Sequence, residues 1–527
     1  WWRSGVLYQI YVRSFADSNG DGIGDLPGIL GRLDYLERLG IDAVWLSPVC
    51  VSPDEDWGYD VSDYCAVHRD LGTLADLDRL IGEAGRRGIR VILDLVPNHT
   101  SDRHPWFLDA RSSRTARRRD WYVWADPRPG GAPPNNWSSG FGGPAWTLDE
   151  ATGQFYLHNH LASQPDLNWW NPEVREAFDD ILRFWFDRGV AGLRIDVCHM
   201  IVKDRELRDN PPATEDDPPF IRFLGQRQTY NSDRPEVHEV LRRWRRIADR
   251  YDPARLLLGE TYVFDVGRMA AFYGREDELD LAFNMPFVYS GFDAEGLRGI
   301  VEATERTLPE AAWPAWTASN HDAGRFPTRW CGGDPAKAKC ALLLLLALSG
   351  TPVLYYGDEI GMPEKLLEPT SLRDPVGKRY WPASMGRDPG RTPMQWSAGP
   401  GAGFTTPEAT PWLPIGDAGL CNVDAQERDR DSVLHFCREL IALRRSMPDL
   451  LSGRYVRLPS PPGTWAFRRG DRVSVALNLS PDETVVEGIA GIVRAATRGA
   501  RRGEALFGRL RLGAAEAVVA ENSVSAL

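Results

Sequence analysis

The chain has 527 residues, 43% hydrophobic and 26% charged, with a formal net charge of −12. That is the profile of an ordinary soluble globular protein large enough for several domains. The acidic balance argues against a nucleic-acid binder, which needs clustered Lys and Arg. The densest basic run, Arg114 to Arg119, reads as a solvated loop or helix face. No membrane partner is expected, because the most apolar run, Cys340 to Leu348, is about half the length that crosses a bilayer. Seven cysteines with no CxxC pair argue against both zinc and a disulfide scaffold, and their odd number leans towards free thiols. Trp1-Trp2-Arg3 opens no basic n-region followed by an apolar h-region. A cytoplasmic location is the resulting expectation, although a chain whose signal peptide had been removed would read the same.

In chain order, short apolar runs alternate with amphipathic helical stretches, the pattern of a parallel α/β fold. The runs are Val6–Val12, Ile41–Leu46, Ile89–Val96, Gly192–Val197, Leu256–Thr261, Leu281–Phe287, Ala315–Ser319 and Pro352–Tyr356. Eight is the strand number that closes a (β/α)₈ TIM barrel. Helix candidates lie between them. Pro235–Tyr251 carries Val237, Val240, Leu241 and Trp244 at helical spacing, and Asn171-Pro172 supplies a cap and first turn. Two excursions break the alternation. Residues 100–170, rich in Trp, Pro, Gly and Arg, read as a subdomain inserted after strand 3, and 357–431 as a long excursion after strand 8. Ser432–Met447 then resembles the closing helix. The barrel domain therefore comprises residues 1–99 and 171–451. Alternating segments in 452–527, such as Arg472–Leu479, predict a C-terminal antiparallel β-domain.

Active sites in such barrels form at the C-terminal ends of the strands. Strand 4 ends in Arg194-Ile195-Asp196, whose first and last side chains point the same way, into the barrel. A guanidinium beside Asp196 would keep it ionised, as a nucleophile requires. Strand 5 delivers Glu260 out of Leu256-Leu257-Leu258, an apolar setting that raises a carboxyl group into the range of a general acid. Strand 7 runs into Asn320-His321-Asp322, a third carboxylate. One carboxyl group to attack an anomeric carbon, one to protonate the leaving oxygen and a third to stabilise charge fit glycoside chemistry.

The segments Asp94-Leu95-Val96-Pro97-Asn98-His99, Gly192 to Asp196, Leu258-Gly259-Glu260 and Asn320-His321-Asp322 resemble the four signature regions of the α-amylase superfamily (glycoside hydrolase family 13), in the family's order. The resemblance implies Asp196 as nucleophile, Glu260 as acid/base and Asp322 as transition-state stabiliser. It also implies that His99, Arg194 and His321 line the subsite of the non-reducing glucose. Gln164-Pro165-Asp166-Leu167-Asn168, Asp56-Trp57-Gly58-Tyr59 and Arg391-Thr392-Pro393-Met394-Gln395-Trp396 resemble the α-glucosidase and oligo-1,6-glucosidase branch. The branch resemblance implies that Asp56 and Arg391 pair to wall off the glucose pocket, with Tyr59 either stacking on the sugar or simply packing in the core.

The loop Asp17-Ser18-Asn19-Gly20-Asp21-Gly22-Ile23-Gly24-Asp25 places oxygen donors at every second position with glycines between, which suits a hard divalent cation. It resembles the calcium or magnesium site of the same branch. The implied ligands are Asp17, Asn19, Asp21, Asp25 and the Ile23 carbonyl, around a structural Ca²⁺ or Mg²⁺. No organic cofactor is expected.

The whole reads as a retaining exo-acting α-glucosidase acting on small oligosaccharides such as maltose, maltooligosaccharides and isomaltose, as a monomer or weak homodimer. The alternative is a transglucosylase, or a sucrose- or trehalose-type α-glucoside hydrolase, of the same family. Val197 after the nucleophile and His199, where many oligo-1,6-glucosidases carry Asn, point in different directions, so linkage preference stays open. A catalytically dead relative would have lost carboxylates that are all present here.

Overall fold

The computed structural model describes residues 1–217 and 219–522. The eight apolar runs form barrel strands 1 to 8: Leu7–Ile10, Ala43–Leu46, Arg90–Leu95, Gly192–Ile195, Leu256–Gly259, Leu281–Ala282, Ala315–Trp316 and Thr351–Tyr355. They pair in parallel in the order 6-5-4-3-2-1-8-7. A parallel bridge between Phe283 and Ala315 joins the two ends of that sheet and closes the barrel. Most observed strands are shorter than the apolar runs, and at strands 1, 3, 4, 5, 6 and 7 the last residues of the run leave the ladder to enter the loops that build the site.

Leu7, Ala43, Trp45, Ile92, Leu256, Leu258 and Val353 fill the interior as one apolar cluster. A parallel barrel buries both faces of its strands, which explains why the runs are continuously apolar rather than alternating. Outside lie the helices. Pro172–Asp187 starts where Asn171 Oδ1 accepts the Glu173 N–H at 2.9 Å. The helix within Pro235–Tyr251 spans Val237–Ala248, and the closing helix spans Val433–Ser446 behind a Ser432 cap. The leucine-rich run belongs to the helix Pro335–Ala347, buried from Cys340 onward.

The segment after strand 3 carries a small antiparallel sheet, with Gln154–Leu157 between Trp124–Ala125 and Trp146–Asp149. A bridge from His99 to Asp166 ties the far end of this segment to the barrel, and one from Tyr122 to Leu167 joins its own two arms. Arg119, read as part of a solvated basic run, is instead buried. Its guanidinium lies 3.3 Å from the centroid of the Trp124 ring and donates to Gln154 Oε1 at 2.6 Å. A cation stacked on an aromatic face is desolvated at low cost, which charge density alone does not reveal.

Residues 455–521 form a six-stranded antiparallel sheet. Arg469 in this sheet donates to Ala347 O at 2.6 Å, anchoring it to the barrel's outer helix. All seven cysteines are free thiols. Among the described residues no helix is long and apolar enough to cross a membrane.

Candidate active site

Barrel strands 3, 4 and 5 run in a register that sets Asp94 beside Arg194 and Arg194 beside Leu258. Just past the ladder, the Asp196 N–H donates to Leu95 O at 2.8 Å and the Glu260 N–H to Ile195 O at 2.9 Å. The backbone thus delivers Asp94, Arg194, Asp196 and Glu260 to one spot. Trp45 forms its floor, with its indole N–H on Asp94 Oδ2 at 3.2 Å and the Arg194 guanidinium 5.0 Å from its ring centroid.

Arg194 is the hub. Its Nη1 reaches Asp94 Oδ1 and Asp196 Oδ1, and its Nη2 reaches Glu260 Oε2, all at 2.8 Å. Asp196 and Glu260 are thus held together on one guanidinium. Burial pushes Asp196 well above the usual carboxylate range against the pull of Arg194, and neighbouring carboxylates add to the rise. Burial raises Glu260 as well, again opposed by Arg194. Asp94 is pushed up by burial to about 6. Arg194 therefore does not by itself hold Asp196 ionised. One cation is divided among three buried carboxyl groups, so their titrations are coupled.

Val197 follows Asp196 with φ 34° and ψ 46°, a left-handed conformation that costs a β-branched residue roughly 1–3 kcal/mol. In that conformation its N–H donates to Glu260 Oε2 at 2.9 Å. The strained turn fixes the acid/base candidate through the backbone.

Asp322 sits across the pocket. Arg391 Nη2 (3.1 Å) and Arg387 Nη1 (3.4 Å) both reach its Oδ1, and His321 Nε2 lies 3.2 Å from Oδ2. Burial opposes its ionisation, but His321, Arg387 and Arg391 outweigh it and hold Asp322 below the usual range. Because burial also pushes His321 well below its own usual value, the arginines carry the positive charge. Tyr59 stacks on His321 with centroids 5.3 Å apart and planes 3° from parallel, while its hydroxyl donates to Asp94 Oδ2 at 3.0 Å. Tyr59 is thus both a packed core residue and part of the pocket wall.

These groups surround a cavity of about 300 Å³ whose lining includes Asp56, Tyr59, His99, Asp196, Glu260 and Asp322, with Phe141, Tyr262 and Tyr289 also in the wall. His99, lowered to about 4 by burial, meets the Tyr59 carbonyl at 3.0 Å. Arg194, His321 and Arg391 do not line the cavity and act from behind its wall.

The expected pairing of Asp56 with Arg391 is not what forms. Arg387 takes that place, its Nη2 on Asp56 Oδ1 at 2.5 Å. Arg391, fully buried, spends its Nε on His321 O (2.8 Å) and its Nη2 on Asp322. A short turn at Asp388–Gly390 separates the two arginines and turns only the first towards Asp56. The motif points at the right loop but not at which arginine faces the cavity. Asp94 and Gln164 were present in quoted motifs without a role. Asp94 is the third carboxylate on Arg194, and Gln164 Nε2 donates to Asp56 Oδ2 at 3.2 Å.

The family model described as "Alpha amylase, catalytic domain" matches residues 9–453. The chain belongs to the α-amylase family. It is accordingly a glycoside hydrolase. A probable alpha-glucosidase of Rhizobium meliloti (strain 1021) is 42% identical, over 92% of this chain and 91% of that protein. An oligo-1,6-glucosidase of Heyndrickxia coagulans is 38% identical, over 91% of this chain and 92% of that protein. The crystal structure of an alpha-glucosyl transfer enzyme, XgtA, superposes with a TM-score of 0.93 at 41% identity, covering 99% of each chain.

In this α-amylase-family chain the loop from Asp17 to Asp25 is held by its own carboxylates. Asp17 accepts the N–H groups of Asn19, Gly20 and Gly22, and Asp21 accepts that of Ile23. Asp25 caps the helix Leu26–Leu30 and binds Ser18. The donor set is all oxygen, which fits a hard divalent cation rather than a softer one. The loop amides already use several of these oxygens, so a cation would share them. Among the described residues, Asp54, His68 and Asp70 bring one ligand atom each within 4.8 Å of one another, but Arg13 already neutralises Asp54 at 2.5 Å.

Proposed function

We propose that this enzyme is a retaining, exo-acting α-glucosidase that releases α-glucose from the non-reducing end of short α-glucosides, such as maltose and maltooligosaccharides, through a covalent glucosyl-enzyme intermediate. The observation that carries this reading is Arg194 bridging Asp196 and Glu260 with its two terminal nitrogens. Two carboxyl groups on one guanidinium are close neighbours, which supports the separation of about 5 Å that retaining enzymes use.

In the first step Asp196 attacks the anomeric carbon while Glu260 gives its proton to the departing oxygen, leaving glucose esterified to Asp196. Glu260, now ionised, takes a proton from the incoming water, which attacks the same carbon and frees Asp196. Two inversions restore the α-configuration. Asp322, kept ionised by two arginines, faces the positive charge that develops on the sugar ring.

Exo action is supported by the Asp56–Arg387 pair at the cavity wall, which presents polar groups to a terminal sugar and obstructs a longer chain. The names of the two curated relatives, an alpha-glucosidase and an oligo-1,6-glucosidase, support the substrate class. The likeness to an alpha-glucosyl transfer enzyme favours a second reading, in which another hydroxyl replaces water in the second step. The loop from Asp17 to Asp25 is proposed to hold a structural Ca²⁺ or Mg²⁺, since none of its residues lines the cavity. Comparing initial rates on maltose and soluble starch tests the exo reading, and analysis of the maltose products for longer saccharides separates hydrolysis from transfer. Rapid internal cleavage of starch would overturn it.

A further inference from the structure

Arg387 is shared among three carboxylates, and only two of them face the cavity. Its Nη2 lies 2.5 Å from Asp56 and its Nη1 3.4 Å from Asp322. The third partner, Asp374, is not part of the cavity wall and its side chain is 0% exposed. Asp374 Oδ1 accepts from Arg387 Nη2 at 2.6 Å and from Nε at 3.1 Å, and its Oδ2 accepts from the Arg387 backbone N–H at 2.6 Å. One carboxylate thus grips both the main chain and the side chain of the same arginine.

The surrounding loop is built to make that grip possible. Asp374 caps the helix Pro375–Tyr380 in the excursion after strand 8. Its own N–H donates to Asp388 Oδ2 at 2.8 Å, which ties the start of the loop to its end. Gly386 has φ +67°, and a Cβ there would stand 2.1 Å from Asp374 Oδ2. A Cβ would also stand 2.4 Å from the Gly377 nitrogen, so only glycine lets the loop close this tightly around the carboxylate. Burial works against ionising Asp374, but Arg387 and Arg391 outweigh it and hold it down at about 2.

We infer that Asp374 is a positioning residue for substrate recognition: it locks the Arg387 guanidinium in the orientation that presents it to Asp56, Asp322 and the terminal sugar. A free arginine samples many rotamers, and fixing it beforehand spares that ordering when substrate binds. The inference rests on the proposed role of Arg387 in holding the terminal glucose. It also makes the excursion after strand 8 part of the specificity apparatus, because the grip joins residues 374 and 387 of that one loop.

A double-mutant cycle tests it. Asp374→Asn, Arg387→Ala and the double variant are assayed with p-nitrophenyl α-glucoside and with its 4-deoxy and 6-deoxy analogues. Asp374→Asn alone should lower kcat/KM by about tenfold to a hundredfold, the scale for losing a partner that orients a functional group. It should also weaken discrimination against the deoxy sugars. In the Arg387→Ala background the same change should cost less than about twofold, because residues acting through one another are not additive. Equal losses in both backgrounds would overturn the inference, since Asp374 would then act without Arg387. If Arg387→Ala leaves discrimination intact, the terminal-glucose reading fails, a result independent of the additivity. Should Asp374→Asn not fold, the cycle is run with Asp374→Glu, which keeps the charge but shifts the carboxylate by one methylene.

Discussion

Replacing Arg194 by Met keeps much of the side-chain length and removes the one cation on which Asp94, Asp196 and Glu260 converge. Each of these carboxyl groups lies 2.8 Å from the guanidinium and none has a side chain more than 9% exposed. Removing one partner of a buried ion pair costs about 3–5 kcal/mol. That is a large share of the roughly 5–15 kcal/mol by which folded proteins are stable. The loss should depend on pH in a definite direction. Asp94 already sits at about 6 through burial, and Asp196 and Glu260 are raised too. Without Arg194 all three rise further. A carboxyl group with a raised folded value contributes fully below its unfolded value near 4 and loses that contribution as pH climbs through the folded one. The Arg194→Met deficit should therefore be largest near about pH 8 and shrink towards about pH 5, where the orphaned groups take up protons. Thermal melts of both proteins across that range measure it. A variant that melts with the parent at the alkaline end, or a deficit that ignores pH, would refute the shared-cation account.

Asp196→Asn should leave the melting temperature close to that of the parent while lowering turnover by more than about a thousandfold, as loss of a nucleophile does. Residual activity above that level would place the nucleophile elsewhere. Chelation of divalent metal should lower the melting temperature more than the activity of the still-folded enzyme, because a cation that binds only the native state stabilises it by mass action. Chelation that stops turnover with no change in melting would contradict a structural role for the loop from Asp17 to Asp25.

The barrel was legible because buried parallel strands must be apolar along their whole length, so eight separate runs survive in the sequence as eight strands. The three carboxylates proposed for catalysis stand out in the sequence for a related reason. A charged residue at the end of an apolar strand is costly unless it works or is paired, and Asp196, Glu260 and Asp322 stand at such ends. What the sequence hid is orientation. Arg387 and Arg391 lie four residues apart in one irregular loop, with no helix or strand period to say which faces the cavity. The electrostatic state of Asp196 was hidden too. Its neighbour Arg194 was visible, but the claims of Asp94 and Glu260 on the same guanidinium arise from strand register across the barrel, not from proximity in sequence. Arg119 shows the same limit, since its stacking on Trp124 depends on how the inserted sheet folds back.

The central claim is that Asp196 and Glu260 are close enough to work by double displacement. The most direct test is the anomeric form of the first glucose released from maltose, followed by proton NMR before mutarotation blurs it. The account predicts α-glucose at the earliest times, with the β-anomer appearing only as mutarotation proceeds. Initial release of β-glucose would mean a single inversion by water, and the retaining mechanism built on Arg194, Asp196 and Glu260 would be wrong.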